Sequence, residues 1–110
     1  FGPPVVSVQN LGVSEIQEVQ LTCPKSETIV GSIPSRATLY VELWSLRGEC
    51  GLKLSYRING KIVEHEDLVY LESTDGYCAD LVVEGEQLLK KSSGFLCFRW
   101  QRLFSHTQRA

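Results

Sequence analysis

The 110-residue chain has no methionine, no Cys-x-x-Cys pair, no Asn-x-Ser/Thr sequon and no apolar run near membrane-spanning length. Each absence excludes something. A membrane helix needs roughly 18 or more consecutive apolar residues, so this segment does not insert, although a parent protein can still be membrane-anchored. Zinc ribbons and fingers draw thiolates in close pairs, and the cysteine spacings of 27, 28 and 19 do not provide them. The start, Phe1-Gly2-Pro3-Pro4, lacks an initiator Met and the charged and apolar regions of a signal peptide. The chain reads as a mature or excised segment.

Charge of one sign is also lacking. Eleven Lys and Arg are scattered among thirteen Asp and Glu, for a formal net charge of -2. Nucleic-acid binding draws most of its affinity from basic residues gathered on one face, so no nucleic-acid partner is expected. Arg99, Arg102 and Arg109 form the nearest cluster, and a solvated end accounts for them.

Catalytic signatures are equally sparse. No Gly-x-Ser-x-Gly elbow, phosphate loop or dinucleotide fingerprint occurs. Of the two histidines, His106 lies in a polar tail and His65 in Glu64-His65-Glu66-Asp67. That acidic cluster admits a metal or general-base reading, but it reads better as a solvated turn rich in carboxylates. Cys-His catalysis needs a free thiol and a third orienting group, and no spacing here supports one. No enzyme, cofactor or metal is expected.

What the chain does have is an even set of four cysteines, Cys23, Cys50, Cys78 and Cys97, in a small domain. With 43% hydrophobic residues the chain can build one core, and one domain over residues 1–110 is expected. Two disulfides suit the widely spaced cysteines and imply an oxidising, extracellular or secretory compartment. Four buried free thiols in a cytosolic protein are the alternative. Spacing alone leaves all three pairings open.

Strand signals dominate. Glu18 to Cys23 alternates apolar Val19, Leu21 and Cys23 with polar residues, a half-buried strand with Cys23 inward. Pro4 to Val8 reads as an edge strand opened by proline, with a loop over residues 10–17. The stretch from Pro24 to Ser35, broken by Gly31 and Pro34, reads as irregular. Ala37 to Leu46 is apolar on both faces and reads as a central strand. Leu52, Leu54, Tyr56 and Ile58 alternate with polar residues up to Asn59-Gly60, which predicts a two-residue hairpin into residues 61–64.

Further strands are expected at Leu68 to Leu71, Tyr77 to Glu84 and Phe95 to Gln101, with a turn over Ser73 to Gly76. Residues 85–91 suit a single helical turn, and residues 105–110 a frayed end. Short strands without intervening long helices predict an all-β, two-sheet antiparallel sandwich.

Two of these strands resemble a known family. Val19-x-Leu21-x-Cys23 resembles strand B of an immunoglobulin domain, and Ser93-Gly94-Phe95-Leu96-Cys97 resembles its strand F. The separation of the two cysteines is similar to that in variable-type domains. The resemblance implies a Cys23–Cys97 bridge between sheets, which leaves Cys50 with Cys78, and it makes Trp44 the core tryptophan. Departures are plain: Trp44 lies 21 residues after Cys23, Phe95 has no hydroxyl for the corner hydrogen bond, and a strand G must come from residues 103–110 or be absent.

With Cys97 inward, Leu96, Phe98 and Trp100 point outward as an apolar stripe flanked by Arg99 and Arg102. Trp and Arg dominate binding hot spots, so these five residues are the candidate partner contact. A core role for the same stripe is the competing reading. The functional expectation is an extracellular recognition or adhesion domain that binds a protein partner, a second copy of itself included. A freely secreted ligand, inhibitor or host-directed effector on the same scaffold is the alternative, and an intracellular domain with reduced cysteines is a third reading.

Overall fold

The computed structural model describes residues 4–23, 26–43, 49–66, 68, 70–72, 78–94 and 107–109. The strands are β1 (Val5–Asn10), β2 (Ile16–Cys23), β3 (Ser26–Ile33), β4 (Thr38–Glu42), β5 (Glu49–Gly51) and β6 (Lys53–Ile58), then β7 (Lys61–His65), β8 (Tyr70–Glu72), β9 (Cys78–Glu84), β10 (Gln87–Gly94) and β11 (Thr107–Arg109). Among the described residues there is no helix. The all-β expectation is met.

The strands form a five-stranded sheet ordered β10-β9-β1-β4-β11, a four-stranded sheet ordered β3-β2-β6-β7, and a small β5-β8 pair. Period-two alternation explains which face each residue takes. From the five-stranded sheet, Val6, Val8, Val41, Ala79, Leu81 and Val83 face inward; the four-stranded sheet answers with residues including Ile16, Val19, Leu21, Leu54 and Tyr56. Both sets belong to one buried cluster, the arrangement of a β-sandwich. Burial of each such aliphatic side chain contributes roughly 1.5–3 kcal/mol.

The hairpin between β6 and β7 forms where expected. Asn59 and Gly60 have φ of 51° and 77°, the positive pair that a type I′ turn requires and that Asn and Gly tolerate best. Leu52, Leu54, Tyr56 and Ile58 all face inward and are at most 6% exposed. Local chemistry decides this part of the fold.

Several expectations are corrected. The five-stranded sheet is mixed rather than antiparallel, since β1 runs parallel to β9 and β11 parallel to β4. β1 is central, not an edge: it pairs with β4 on one side and β9 on the other. Its prolyl start still fits, because Pro4 offers a carbonyl to the Leu43 N–H at 2.9 Å. Residues 24–35 are not simply irregular, because β3 forms a hairpin partner for β2. There Gly31, at φ 100°, adjoins a bulge that shifts the alternation, with polar Thr28 facing in and Ile29 facing out, so the sequence pattern is scrambled.

Likewise, the helical turn expected over residues 85–91 is replaced by a turn at Gly85-Glu86 and the edge strand β10. Its lysines, Lys90 and Lys91, are typical of an edge exposed to solvent. At the C-terminal end, residues 107–109 are paired with β4 rather than frayed. His65 sits at the end of β7 and is half-buried, so it does not belong to a solvated turn.

Candidate interaction surfaces

The five residues expected to form a partner contact, Leu96, Phe98, Arg99, Trp100 and Arg102, lie outside the described residues, as do Cys97, Trp44 and Phe95. Of the other cysteines, Cys23 faces the core at 8% exposure, and Cys78 is 4% exposed at the start of β9. Cys50 stands in β5 opposite Leu71.

The two outer faces of the sandwich differ. On the five-stranded sheet, Val5, Ser7, Tyr40, Glu42 and Cys78 point away from the core yet are no more than 8% exposed. Ser7 donates a hydrogen bond from its Oγ to Asp80 Oδ1 across the parallel β1-β9 ladder. This face is closed to large partners over that end.

The outer face of the four-stranded sheet is open. An open groove of about 470 Å³ runs over it, lined by Glu18, Gln20, Ile29, Ser55, Arg57, Ile62 and Glu64 with part of Tyr56. Ile29 and Ile62 are each 63% exposed, at the two edges of the sheet. Charges alternate in sign: Arg57 Nε lies 2.8 Å from Glu18 Oε2, and Lys53 Nζ lies 3.3 Å from Glu64 Oε2. Glu18 reaches Arg57 because a bulge, with φ 52° at Glu18, lies where the β2-β6 register shifts. Sequence reading missed this surface. Its signal was Ile62 beside Val63, since adjacent residues of one strand cannot both face inward.

One end of the sandwich is rigidly braced. Asn10, fully buried, donates from Nδ2 to the carbonyls of Ser14, Ile33 and Pro34 at 2.9, 3.1 and 3.2 Å, and accepts the Gly12 N–H at 2.9 Å. Ser35 Oγ donates to the Gly12 carbonyl. Nearby, the Tyr56 hydroxyl donates to the Gly85 carbonyl at 2.7 Å, and its oxygen lies 3.4 Å from His65 Nε2. Lys61 and Glu86 pair at 2.9 Å, so the hairpin turn and the β9-β10 turn share this end.

Burial, with a smaller contribution from Glu86, pushes the Tyr56 phenol up to about 12. Burial also lowers the His65 pKa below its ordinary value. The phenol spends its proton on Gly85, and His65 packs against it with ring centroids 5.9 Å apart. This is the pattern of a structural brace: the donor is already committed to the backbone.

No family model matches the chain, and no curated protein or solved structure is significantly similar to it.

Proposed function

We propose that the chain is an extracellular recognition or adhesion domain that binds a protein partner across a sheet surface. The observation that carries this reading is the contrast between the outer faces: one is buried by the chain itself over one end, while the other is open and holds exposed Ile29 and Ile62. The two isoleucines flank a centre of polar and oppositely charged side chains, a mixed composition that suits a small partner contact. The apolar stripe of Leu96, Phe98 and Trp100, flanked by Arg99 and Arg102, is proposed as a second contact.

The proposal includes two disulfides. Cys23 and Cys78 are both in the bonded form, which supports an oxidising compartment. Cys23 faces the core while Cys78 lies on the opposite side of the five-stranded sheet, so their side chains point apart. That favours bridges from each to Cys50 or Cys97. Of the pairings this leaves, the immunoglobulin resemblance implies Cys23 with Cys97 and Cys50 with Cys78. We therefore retain Cys23–Cys97 and Cys50–Cys78.

The immunoglobulin type is proposed only as a divergent form. β2 and β6 are neighbours in one sheet with β4 in the other, as strands B, E and C are in that family. The β3 hairpin occupies part of the long interval between Cys23 and Trp44. The central, parallel position of β1 is a departure.

Thiol counting and peptide mapping test the compartment and the pairing. No free thiol in the denatured, unreduced protein and linked peptides at 23–97 and 50–78 are expected; four free thiols, or Cys50 joined to Cys23 or Cys97, overturn them. Binding of the labelled chain to intact cells tests recognition. With Trp100→Ala, lost binding at unchanged melting supports a contact, whereas a loss of about 3–5 kcal/mol of stability makes Trp100 core.

A further inference from the structure

We propose that the open face of the four-stranded sheet pairs with the same face of a second copy of this chain. The inference rests on the recognition reading and names the partner. It starts from the arrangement of charge. β2 and β6 are adjacent and antiparallel, with Gln20 opposite Ser55 and the Glu18–Arg57 pair one step further along. All four residues line the groove.

A two-fold axis lying in the interface, parallel to these strands and midway between them, exchanges the two strand positions. It sets Glu18 of one copy over Arg57 of the other, and Gln20 over Ser55, each twice. The two intramolecular ion pairs then become a ring of four alternating charges in which every charge has two opposite neighbours. Such self-complementarity is what a two-fold interface demands. The other in-plane two-fold, perpendicular to the strands at the level of Ser55, lays Arg57 over Lys53 and is repulsive.

The remaining features agree with this geometry. Ile29 and Ile62 stand at opposite edges of the face, in neighbouring rows; the axis brings Ile29 of one copy over Glu64 of the other, two residues along β7 from Ile62, so the isoleucines flank the charged centre without meeting head-on. Two sheets stacked in this way keep their strands roughly aligned, the common mode of sandwich packing. A net charge of -2 offers little long-range resistance to association. With few apolar residues the contact is small, polar and hydrated, which sets it among weak, salt-sensitive interactions.

Charge reversal provides the test, read by sedimentation of the oxidised chain from about 0.01 to 1 mM at low and high salt. The parent chain is expected to dimerise reversibly, less so in high salt. E18R and R57E should each weaken self-association by about tenfold or more, since each confronts like charges across the axis. An equimolar mixture of E18R and R57E should associate again. In E18R positions 18 and 57 are both basic, in R57E both are acidic, and the axis sets the two basic groups over the two acidic ones. Neither variant regains its internal pair in the mixture, so recovery reports contact between chains.

Melting curves verify that both variants fold, as expected for side chains that are 59% and 44% exposed. A monomeric parent chain, self-association unchanged by either reversal, or a mixture that stays monomeric each overturns the pairing. The recognition reading then still stands or falls on binding to intact cells.

Discussion

Asn10 provides the sharpest test of how the fold is held. Its side chain is fully buried and makes four contacts, three as a donor and one as an acceptor. An amide has only two N–H hydrogens, so three carbonyls share two donors, and the set is worth about three hydrogen bonds. Removing a partner from a buried group costs about 1–3 kcal/mol, but water entering the space left by Asn10→Ala recovers part of it. The expected loss is therefore about 3–4 kcal/mol, a large share of the roughly 5–15 kcal/mol typical of a domain. For 110 residues, that is a fall of about 13–17 °C in melting temperature.

Asn10→Asp separates hydrogen bonding from shape. The carboxylate keeps the volume and the bond from Gly12, but aims charge at three carbonyl oxygens. At neutral pH it should be less stable than the alanine variant. Burial and the carbonyls raise its folded pKa above the unfolded value of about 3.9, so the folded state binds more protons between those two values. Stability of this variant should then rise as pH falls through the folded pKa. Denaturant unfolding at several pH values measures both effects. An alanine variant within about 1 kcal/mol of the parent, or an aspartate variant no worse than alanine at neutral pH, refutes the brace.

Tyr56→Phe removes the 2.7 Å bond to Gly85 and should cost about 1 kcal/mol. Because the folded phenol is pushed up to about 12 from an ordinary 10, the parent should lose stability as pH rises above 10, and Tyr56→Phe should flatten that loss in alkaline melts. The lowered pKa of His65 acts at the other end, so stability should fall as pH drops through the ordinary histidine range, and His65→Gln should reduce that slope. Gly12→Ala should cost about 1–3 kcal/mol, since its Cβ would meet the Gly85 N at 3.0 Å. Gly60→Ala meets nothing within 4 Å and should cost only the strain of φ 77°, about 1–2 kcal/mol, on chemical denaturation. Arg57→Gln, which breaks an exposed pair, should change stability by less than about 1 kcal/mol.

The sequence by itself determined the features that depend on neighbouring residues. Period-two alternation located β2 and β6, and Asn59-Gly60 located the hairpin, because side-chain direction and turn geometry are local properties. It also placed Cys23 on the core side. What only the tertiary structure decided is non-local. β1 pairs with β9 across some 73 positions and lies in the middle of a sheet, which its short apolar run could not announce.

The open groove left only the weak signal of Ile62 beside Val63, for a related reason. Ile29 and Ile62 look like core residues by type, and only the bulge beside Gly31 and the hairpin register turn them outward. Conversely, Ser7 and Glu42 look like surface residues and are buried. Residue type and local period determine which face a side chain takes, but whether that face meets water depends on which distant segment packs over it.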